Sequence, residues 1–342
     1  LTSEVLRKLL ESSIYLDPQI NINLFEYIVE YGSRFIESVY LNGDEVGYWP
    51  YGYNSFKFDI TPYLIEGGEN LLAVRLENLT ESSRWYPGAG LYRNVHVIVT
   101  EDAHIPVWGT QLTTPKITSE FAKVNLKTKV VRPVDSKVDN FRLVTEIKDA
   151  NNRVVATGEE KLSKYYGDVF EQNLIVNQPK LWDTENPYLY KAVSKLYDGS
   201  SLKDEYTTTF GIRSIEIIPG KGFFLNGKLT KFKGVCLHHD LGPLGAAINE
   251  AALRRQITIL KDMGCNAIRT SHNMPSPEQI KVCDEMGMMV MAESFDEWKI
   301  AKCQNGYNHL FDEWAEKDLV NLIHNFRNNP SIVMWSIGNE VP

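Results

Sequence analysis

Apolar and polar residues alternate in short stretches over residues 1–108, and Gly, Pro and Asn interrupt these stretches. Alternation with a period of two, bounded by turn-forming residues, predicts β-strands. We expect a hairpin over residues 36–46 and further strands over residues 55–60, 70–77 and 95–100. In the hairpin, Asn42 and Gly43 supply the positive φ angles of a two-residue type I′ turn. Residues 82–93 are expected to form a long aromatic-rich loop, and such loops often carry function.

A second all-β section extends over residues 109–217. Its alternating segments predict strands over residues 122–131, 140–148, 153–160 and 189–197. About seven short strands in roughly 100 residues are typical of an immunoglobulin-like sandwich. Because no cysteine pair bridges this section, we expect its apolar core alone to hold it together.

After a second Asn-Gly hairpin, at Asn226 and Gly227, the pattern changes from strand–turn–strand to strand–helix–strand. Four apolar strands alternate with three helices, in the order 231–236, 249–263, 266–270, 276–286, 288–293, 312–326 and 332–337. Asn249 suits an N-cap and Pro277 a first helical turn. Such an order predicts a parallel sheet covered on both faces. Both a (β/α)₈ barrel and an open doubly wound sheet fit, although no GxGxxG follows the first strand.

The length of this last section limits its fold. A (β/α)₈ barrel takes about 250 residues, whereas the section from Ile217 reaches Pro342 after four strands. We therefore expect a multidomain chain of two β-sandwiches followed by the first half of a TIM barrel. The predicted domains are residues 1–108, with an incomplete start, 109–217 and 218–342.

Composition excludes several classes of partner. The 342 residues carry 36 Lys and Arg against 44 Asp and Glu, for a net charge of −8. A nucleic-acid or membrane-surface partner needs concentrated basic residues, and the sequence contains no such stripe. No apolar run approaches the roughly 20 residues of a membrane span. Four cysteines without a CxxC pair indicate neither a zinc site nor disulfides. No signal peptide is recognisable, and a chain that starts at Leu1 is expected to have been trimmed.

Ionisable or amide side chains follow each of the four predicted parallel strands. The four sets are His238, His239 and Asp240; Arg269, His272 and Asn273; Glu293, Asp296 and Glu297; and Asn339 and Glu340. In parallel α/β folds the carboxyl ends of the strands build the active site. Any single residue fits an ordinary solvated loop, but the four sets together favour a functional site.

Metal and carboxylate chemistry are alternatives for these residues. The chain has no HExxH motif, calcium-binding loop or Cys/His pairing, so no catalytic metal core is predicted, and a loosely held Mg²⁺ on Glu297 stays open. Glu340 follows an apolar strand, where partial burial would raise its pKa and suit it to act as a general acid. Asn339 beside it can donate to and accept from a substrate hydroxyl.

Three motifs at the strand ends resemble those of glycoside hydrolase family 2, especially its β-galactosidases. They are GVCLHHD at 234–240, RTSHN at 269–273 and WSIGNE at 335–340. Supporting matches are CDEMG at 283–287, YLNG at 40–43, Trp85 through Gly90 to Val95, Trp182 with PYLY at 187–190, and GIR at 211–213. The matches extend from about residue 39 to the end of the chain.

This resemblance implies a jelly-roll sugar-binding domain, an immunoglobulin-like domain and a catalytic (β/α)₈ barrel that hydrolyses β-linked galactosides, or related glycosides, with retention. It implies that Glu340 is the general acid/base and that Asn339 binds the 2-hydroxyl of the sugar. The other expected substrate-binding residues are His238, His272, Arg269, Asn273 and Trp298. Trp85 and Tyr86 are further candidates for stacking on a sugar, whereas Trp335, inside a strand, is expected to be a packing residue.

The resemblance also leaves questions about metal and nucleophile. No cofactor is required; Glu297 matches a Mg²⁺ ligand of some members, but Lys299 stands where they have a histidine. Glu293 follows Ala292 where an Asp-Glu pair is common. A retaining enzyme needs a second carboxylate about 5–5.5 Å from the acid/base, and in this family it ends the seventh strand. Since neither Glu293 nor Glu297 would approach from the opposite side of the sugar, we expect the 342 residues alone to be inactive.

Several alternatives stay open at this point. β-Glucuronidase and β-mannosidase activity are alternatives within the family, and a non-catalytic carbohydrate-binding fragment is an alternative outside catalysis. The expected partner is an oligosaccharide or glycoside, with no nucleic acid or membrane, and homo-oligomers are common in the family. Half a barrel is expected to expose strand edges. The sequence does not fix localisation, although such enzymes from glycan-degrading bacteria are often exported.

Overall fold

The computed structural model describes residues 24–30, 37–77, 79–84, 90–163 and 167–341. The chain divides into two compact units, each described here by itself. The first comprises the residues up to Glu101 together with Glu297–Asn321, and the second comprises Asp102–Asp296 together with Leu322–Val341. None of the helices in the described ranges has the length and apolar character needed to cross a membrane.

The first unit contains a β-sandwich of two three-stranded antiparallel sheets. Its strands are β1 (Leu24–Glu30), β2 (Glu37–Leu41), β3 (Asp44–Trp49), β4 (Ser55–Asp59), β5 (Leu72–Leu76) and β6 (Val95–Thr100). The sheet orders are β4-β1-β6 and β3-β2-β5. The predicted hairpin is confirmed, with φ of 56° at Asn42 and 95° at Gly43. Strand β1 was not predicted, and Trp85 and Tyr86 lie outside the described residues.

The second unit begins with seven strands, the number predicted for an immunoglobulin-like sandwich. They are β7 (Thr110–Ile117), β8 (Phe121–Lys129), β9 (Phe141–Lys148), β10 (Val154–Lys161), β11 (Val169–Asn177), β12 (Tyr190–Asp198) and β13 (Ser201–Phe210). They form sheets in the orders β10-β9-β12-β13 and β11-β8-β7. Residues along β9 alternate strictly between buried and half-buried, so one face supplies the core. The sandwich therefore closes on apolar packing, as expected.

A short antiparallel sheet precedes the parallel region and contains β14 (Ile215–Ile218), β15 (Gly222–Leu225) and β16 (Lys228–Leu229). Its turn contains Asn226 and Gly227 with φ of 52° and 75°, which confirms the second Asn-Gly hairpin. Short 3₁₀ turns occur at Thr61–Tyr63, Val138–Asn140, Gly242–Leu244 and Tyr307–His309.

Four parallel strands follow, in the spatial order of the sequence, and confirm the predicted half-barrel pattern. The elements are β17 (Gly234–Leu237), α1 (Glu250–Asp262), β18 (Ala267–Thr270), α2 (Pro277–Met286), β19 (Met289–Glu293), α3 (Phe311–Phe326) and β20 (Ile332–Ser336). Strand β17 begins three residues later than predicted. Strands β17 and β20 form the two edges of this sheet, so their outer backbone groups have no neighbouring strand in it.

Local signals explain where the first two of these helices begin and end. The Asn249 side chain accepts a hydrogen bond from the Ala252 amide, and Leu253, Ile257 and Leu260 form the buried face of α1, as predicted. The Ser276 hydroxyl caps α2 in the same way. Gly287 ends α2 with φ of 70°, and a Cβ there would lie 2.7 Å from the Thr184 carbonyl oxygen. Both conformation and space therefore require glycine at this position.

Asp284, near the end of α2, joins the parallel sheet to the preceding sandwich within the second unit. Its backbone carbonyl accepts from Trp182 Nε1 at 2.8 Å, and its carboxylate accepts from the Ser331 amide at 2.9 Å. Arg213 donates to the carbonyl oxygens of Pro330 and Ile332, at 2.5 and 2.7 Å. Burial raises the pKa of Asp284 to about 6 and lowers the pKa of Arg213 to about 10.

Asp318 on α3 has a comparable place in the first unit. Its carboxylate is fully buried and accepts from Trp49 Nε1 and Asn54 Nδ2, each at 2.7 Å, and from the Tyr307 hydroxyl. Burial raises the pKa of Asp318 to about 7, although these hydrogen bonds act in the opposite direction. Each unit thus contains one buried aspartate that takes up a proton near neutral pH.

These two aspartates make the folded chain more stable at mildly acidic than at neutral pH. A raised pKa means that the folded protein binds the proton more tightly than the unfolded chain, whose aspartates titrate near 3.8. The stability that these two aspartates contribute is therefore fully present below about pH 4 and is lost as the pH rises through 6 and 7. At about 1.4 kcal/mol per pKa unit, we expect the free energy of unfolding to be about 2–4 kcal/mol lower at pH 8 than at pH 5. Denaturant titrations at several pH values measure this slope.

Variants of Asp284 and Asp318 distinguish their contribution to this pH dependence from that of the other ionisable groups. Asp284→Asn and Asp318→Asn should each flatten the slope between pH 5 and 8. Asp149→Asn is the matched control, because the hydrogen bond with Arg153 lowers the pKa of Asp149 and keeps it ionised throughout this range. An unchanged slope in both test variants would show that neither buried aspartate is shifted.

Candidate active site

Three neighbouring strands of the second unit bring predicted site residues together at their carboxyl ends. Arg269 lies in β18 and His272 follows it, Glu293 ends β19, and Asn339 follows β20. Glu293 lies opposite Ser336 in the parallel pairing of β19 with β20. Because parallel strands end on the same edge of a sheet, residues far apart in sequence converge here.

The Glu293 carboxylate is the centre of this cluster and is fully buried. Arg269 holds it through two parallel hydrogen bonds, from Nε to Oε2 at 2.7 Å and from Nη2 to Oε1 at 2.9 Å. His272 Nδ1 lies 2.6 Å from Oε1, and the Ser336 hydroxyl donates to Oε2 at 2.6 Å. Four donor atoms, from β18, the segment after it and the end of β20, thus compensate for the loss of water around this carboxylate.

The arrangement also fixes the two basic side chains around Glu293. Partial burial lowers the pKa of Arg269, but its hydrogen bond and ion pair with Glu293 outweigh that effect and the net pKa is raised. Arg269 therefore stays a cation. A carboxylate partner at Nδ1 places a proton on that nitrogen and orients the imidazole of His272.

Asn339 is held from both sides and from its backbone. Its Oδ1 accepts from Arg269 Nη2 at 3.3 Å, and its Nδ2 donates to Asp296 Oδ1 at 3.1 Å. Its amide nitrogen donates to the Phe295 carbonyl oxygen at 2.9 Å. Asn339 is 7% exposed and Asp296 is 1% exposed. We call these contacts the Asn339 clamp. They fix the orientation of the Asn339 side-chain amide and the position of the backbone that leads into Glu340.

Glu340 follows the clamp directly, and its side chain is exposed. The expected partial burial of its carboxyl group is therefore wrong for this chain, because β20 is an edge strand and the described residues do not enclose the segment after it. Glu340 has φ of 49°, a left-handed conformation that is uncommon for a residue with a Cβ. Backbone conformations of this kind cluster at functional sites, where surrounding contacts maintain them.

Two more predicted residues lie close to this cluster. The rings of His238 and His272 meet edge to face, with 5.3 Å between their centroids. Asn273 is fully buried. The end of β17 is therefore adjacent to the end of β18, as the predicted sheet requires. Trp335 is 39% exposed, so the prediction that it packs into a core is wrong here: it lies on the edge strand.

Glu297, which belongs to the first unit, has surroundings that suit an anion and oppose a cation. Its Oε1 accepts from the amides of Lys302 and Cys303, at 2.8 and 2.7 Å, and its Oε2 accepts from the amide of Tyr307. A Cβ on Gly306 would lie 2.0 Å from this carboxylate. Backbone N–H groups present positive charge where a metal ion would have to sit, so the residues here do not fit a bound Mg²⁺.

Lys299 and Trp298, which follow Glu297 in the chain, also make contacts within the first unit. Lys299, which replaces the expected histidine, forms an ion pair with Asp312. Trp298 is half-buried, and its ring contacts Phe311 with 5.7 Å between centroids. Across the described part of the chain, no group of three or more His, Cys, Asp and Glu residues is arranged to hold a metal ion.

The structure gives roles to three residues that the sequence analysis left without one. Glu293 organises the cluster, Ser336 donates to it, and Asp296 holds Asn339. Glu293 and Asp296 were noted at a strand end, but their partners come from other strands and could not be assigned. Pairing the ends of neighbouring strands, with Arg269 beside Glu293, is the signal that would have found them.

Two family models match the chain: "Glycosyl hydrolases family 2" over residues 104–213 and "Glycosyl hydrolases family 2, TIM barrel domain" over residues 216–342. β-Galactosidase BoGH2A of Bacteroides ovatus is 46% identical over 319 residues, which make up 92% of this chain and 37% of that protein. A β-glucuronidase of Bacteroides fragilis is 29% identical, with 91% of this chain and 46% of that protein aligned.

Structural comparison gives the same result. A crystal structure of a glycosyl hydrolase family 2 member from Bacteroides cellulosilyticus matches with a TM-score of 0.91 and 37% identity, over 96% of this chain and 42% of that one. The chain thus spans less than half the length of these relatives. The two family models together match more than two thirds of the residues, and they include the strand ends that form the cluster around Glu293. The chain belongs to glycosyl hydrolase family 2.

Proposed function

We propose that the protein is a retaining glycoside hydrolase that cleaves terminal β-D-galactosides, with Glu340 as its general acid/base. The Asn339 clamp is the observation that carries this proposal. It holds an amide in a fixed orientation directly beside an accessible carboxyl group at the carboxyl end of a parallel strand. An acid/base and a hydroxyl-binding group are thereby placed together where glycosidase chemistry needs them.

In the first step Glu340 donates its proton to the glycosidic oxygen as the bond to the sugar breaks, and a second carboxylate, the nucleophile, bonds to the anomeric carbon. Positive charge then develops on the ring, and Asn339 stabilises this transition state through the sugar 2-hydroxyl. In the second step Glu340 takes a proton from water as the water oxygen bonds to the anomeric carbon and the bond to the nucleophile breaks. Arg269 and Glu293 act through Asn339, because they fix its amide but do not approach the reacting atoms in this scheme.

The nucleophile of a retaining reaction has to be another carboxylate. Glu293 cannot serve, because Arg269, His272 and Ser336 enclose both of its oxygens. Glu297 cannot serve either, because backbone amides bind both of its oxygens. We propose that the nucleophile lies beyond the 342 residues, which agrees with the greater length of the relatives, and that these residues alone are inactive.

Support for the galactoside comes from the relatives. The Bacteroides ovatus β-galactosidase is 46% identical to this chain, whereas the Bacteroides fragilis β-glucuronidase is 29% identical. β-Glucuronides and β-mannosides are the alternative substrates within the family. A non-catalytic carbohydrate-binding role is the alternative outside it.

Replacing Glu340 tests the acid/base assignment in the protein expressed from its complete reading frame. With an aryl β-galactoside whose leaving group needs protonation, Glu340→Gln should lower kcat at least about 100-fold. With a dinitrophenyl galactoside, which leaves without a proton, the loss in glycosidic cleavage should be much smaller. Glu316→Gln, on the exposed face of α3, is the control and should match the wild type.

Steady-state rates and active-site titration measure these effects. Equal losses on both substrates, or none, would remove Glu340 from the acid/base role. A wild-type protein that binds galactosides but hydrolyses no glycoside would favour the binding alternative. Clear Glu340-dependent turnover by the 342-residue chain itself would contradict the proposal that the nucleophile lies beyond it.

A panel of aryl glycosides identifies the sugar. We expect kcat/KM to be highest for the β-galactoside, and at least about tenfold lower for the β-glucuronide and β-mannoside, which corresponds to about 1.4 kcal/mol. A preference for the glucuronide or the mannoside would assign the protein to one of the two alternative activities.

We further propose that catalysis requires no metal ion, because the Glu297 carboxylate is already bound by backbone amides. Treatment with EDTA followed by desalting should change kcat/KM less than twofold, and added Mg²⁺ should have no effect. A loss of activity that Mg²⁺ restores in the wild type but not in Glu297→Gln would instead place a metal at Glu297.

A further inference from the structure

Residues 297–307 belong to the first unit, carry Trp298 and end at Tyr307. We call this segment the 297–307 loop. Tyr307 is 4% exposed, and its hydroxyl donates to the fully buried carboxylate of Asp318 on α3. A buried phenol bonded to a buried carboxylate is not explained by the proposed chemistry. It has the features of an anchor, because it connects Tyr307 to α3 through two buried polar groups that need hydrogen-bond partners.

Asp318 connects this anchor to the first β-sandwich. Its Oδ1 accepts from Trp49 Nε1, at the end of β3, and from Asn54 Nδ2, just before β4. Asn54 also donates to the backbone carbonyl of Asp318 at 3.2 Å. The ring of Trp314, one turn earlier on α3, meets the ring of Trp49 with 5.1 Å between centroids. Polar and apolar contacts thus fix α3 and Tyr307 to the sandwich together.

The 297–307 loop has additional bonds at both of its ends. The Glu297 carboxylate accepts hydrogen bonds from the backbone amides of Lys302, Cys303 and Tyr307. These bonds connect the first residue of the loop to its later residues. Asn305 donates its amide to the Glu81 carbonyl at 3.0 Å and its side chain to the Thr80 carbonyl at 2.8 Å. The backbone is therefore held both by the loop itself and by the sandwich.

A series of ring contacts leads from the sandwich to Trp298. Tyr51 meets Tyr307 with 4.6 Å between centroids, Tyr307 meets Phe311 at 6.1 Å, and Phe311 meets Trp298 at 5.7 Å. Packed aromatic rings prefer tilted and edge-to-face arrangements, so the orientation of each ring restricts the next. Movement of Tyr307 would therefore change the orientation of the Trp298 indole.

We propose that Tyr307 and Asp318 are positioning residues that lock the 297–307 loop to the first sandwich and hold the Trp298 indole for stacking on a pyranose ring. The anchoring part stands on the contacts of the first unit. The assignment of a sugar to Trp298 rests on the proposed glycosidase function.

The test uses Tyr307→Phe and Asp318→Asn in the protein expressed from its complete reading frame. Tyr307→Phe removes the hydroxyl and keeps the ring, so the aromatic series can form but is no longer locked. Tyr190→Phe is the matched control: Tyr190 is 3% exposed, and its hydroxyl accepts from the Lys180 amide in the other sandwich. Both tyrosine variants lose one hydroxyl and its hydrogen bond and keep the aromatic ring.

Amide hydrogen exchange measures the anchor without any substrate. In Tyr307→Phe and Asp318→Asn, the amides of Lys302 and Cys303 should exchange at least about tenfold faster than in the wild type. In Tyr190→Phe they should exchange at the wild-type rate. Unchanged exchange in both test variants, or the same acceleration in the control, would overturn the proposal.

Steady-state kinetics measure the positioning. Tyr307→Phe should raise KM for the aryl glycoside about threefold to tenfold and leave kcat within about twofold, because stacking contributes to ground and transition states alike. In a Trp298→Ala background the same substitution should have no further effect on KM. Additive effects of the two substitutions, or an unchanged KM despite faster exchange, would overturn the role of Trp298. If the wild type hydrolyses no glycoside, the proposed function fails while the exchange data still decide whether the anchor exists.

Discussion

A carboxylate cannot be kept away from water unless the fold supplies donors for it, and the strand ends of the second unit are arranged around this constraint. Glu293 is fully buried, and its oxygens accept from Arg269, His272 and Ser336. Because Arg269 lies in β18, Glu293 itself ends β19 and Ser336 ends β20, these three strands have to end at matching heights. The same Arg269 guanidinium also reaches Asn339. Solvation of one buried charge thereby fixes the amide that precedes Glu340.

The same requirement explains three other buried acids in the molecule. Glu297 is bound by amides of its own loop, Asp318 by side chains of the first sandwich, and Asp284 by the segment before β20. The carboxylates of Asp318 and Asp284 join parts of the chain that are separate in sequence, whereas that of Glu297 closes a local loop. At Asp284 and Asp318 the effect of burial exceeds that of the hydrogen bonds and raises the pKa of each carboxyl group. These two anchors are therefore sensitive to pH near neutrality.

The sequence predicted most of the framework, because strand alternation, turn residues and helix caps act within a few neighbouring positions. Asn42, Asn226 and Asn249 lie where these local rules place them. Contacts between distant segments were harder to predict. The sequence could show Glu293 at a strand end but not its cage, since that depends on the register of three strands. For the same reason it placed Glu340 in a partly buried mouth and Trp335 in a core, whereas both are exposed along an edge strand.

Glu293 and Glu340 show how the same functional group suits two different tasks. A general acid has to exchange its proton with substrate and water in each catalytic cycle, and a carboxylate enclosed by four donors cannot do so. Glu293 therefore serves as a rigid support. Glu340 has an exposed side chain and a left-handed backbone conformation, and it directly follows the Asn339 clamp. In the proposed scheme Glu340 is the acid/base, and the strand ends contribute a rigid support through Glu293 and an exposed carboxyl group through Glu340.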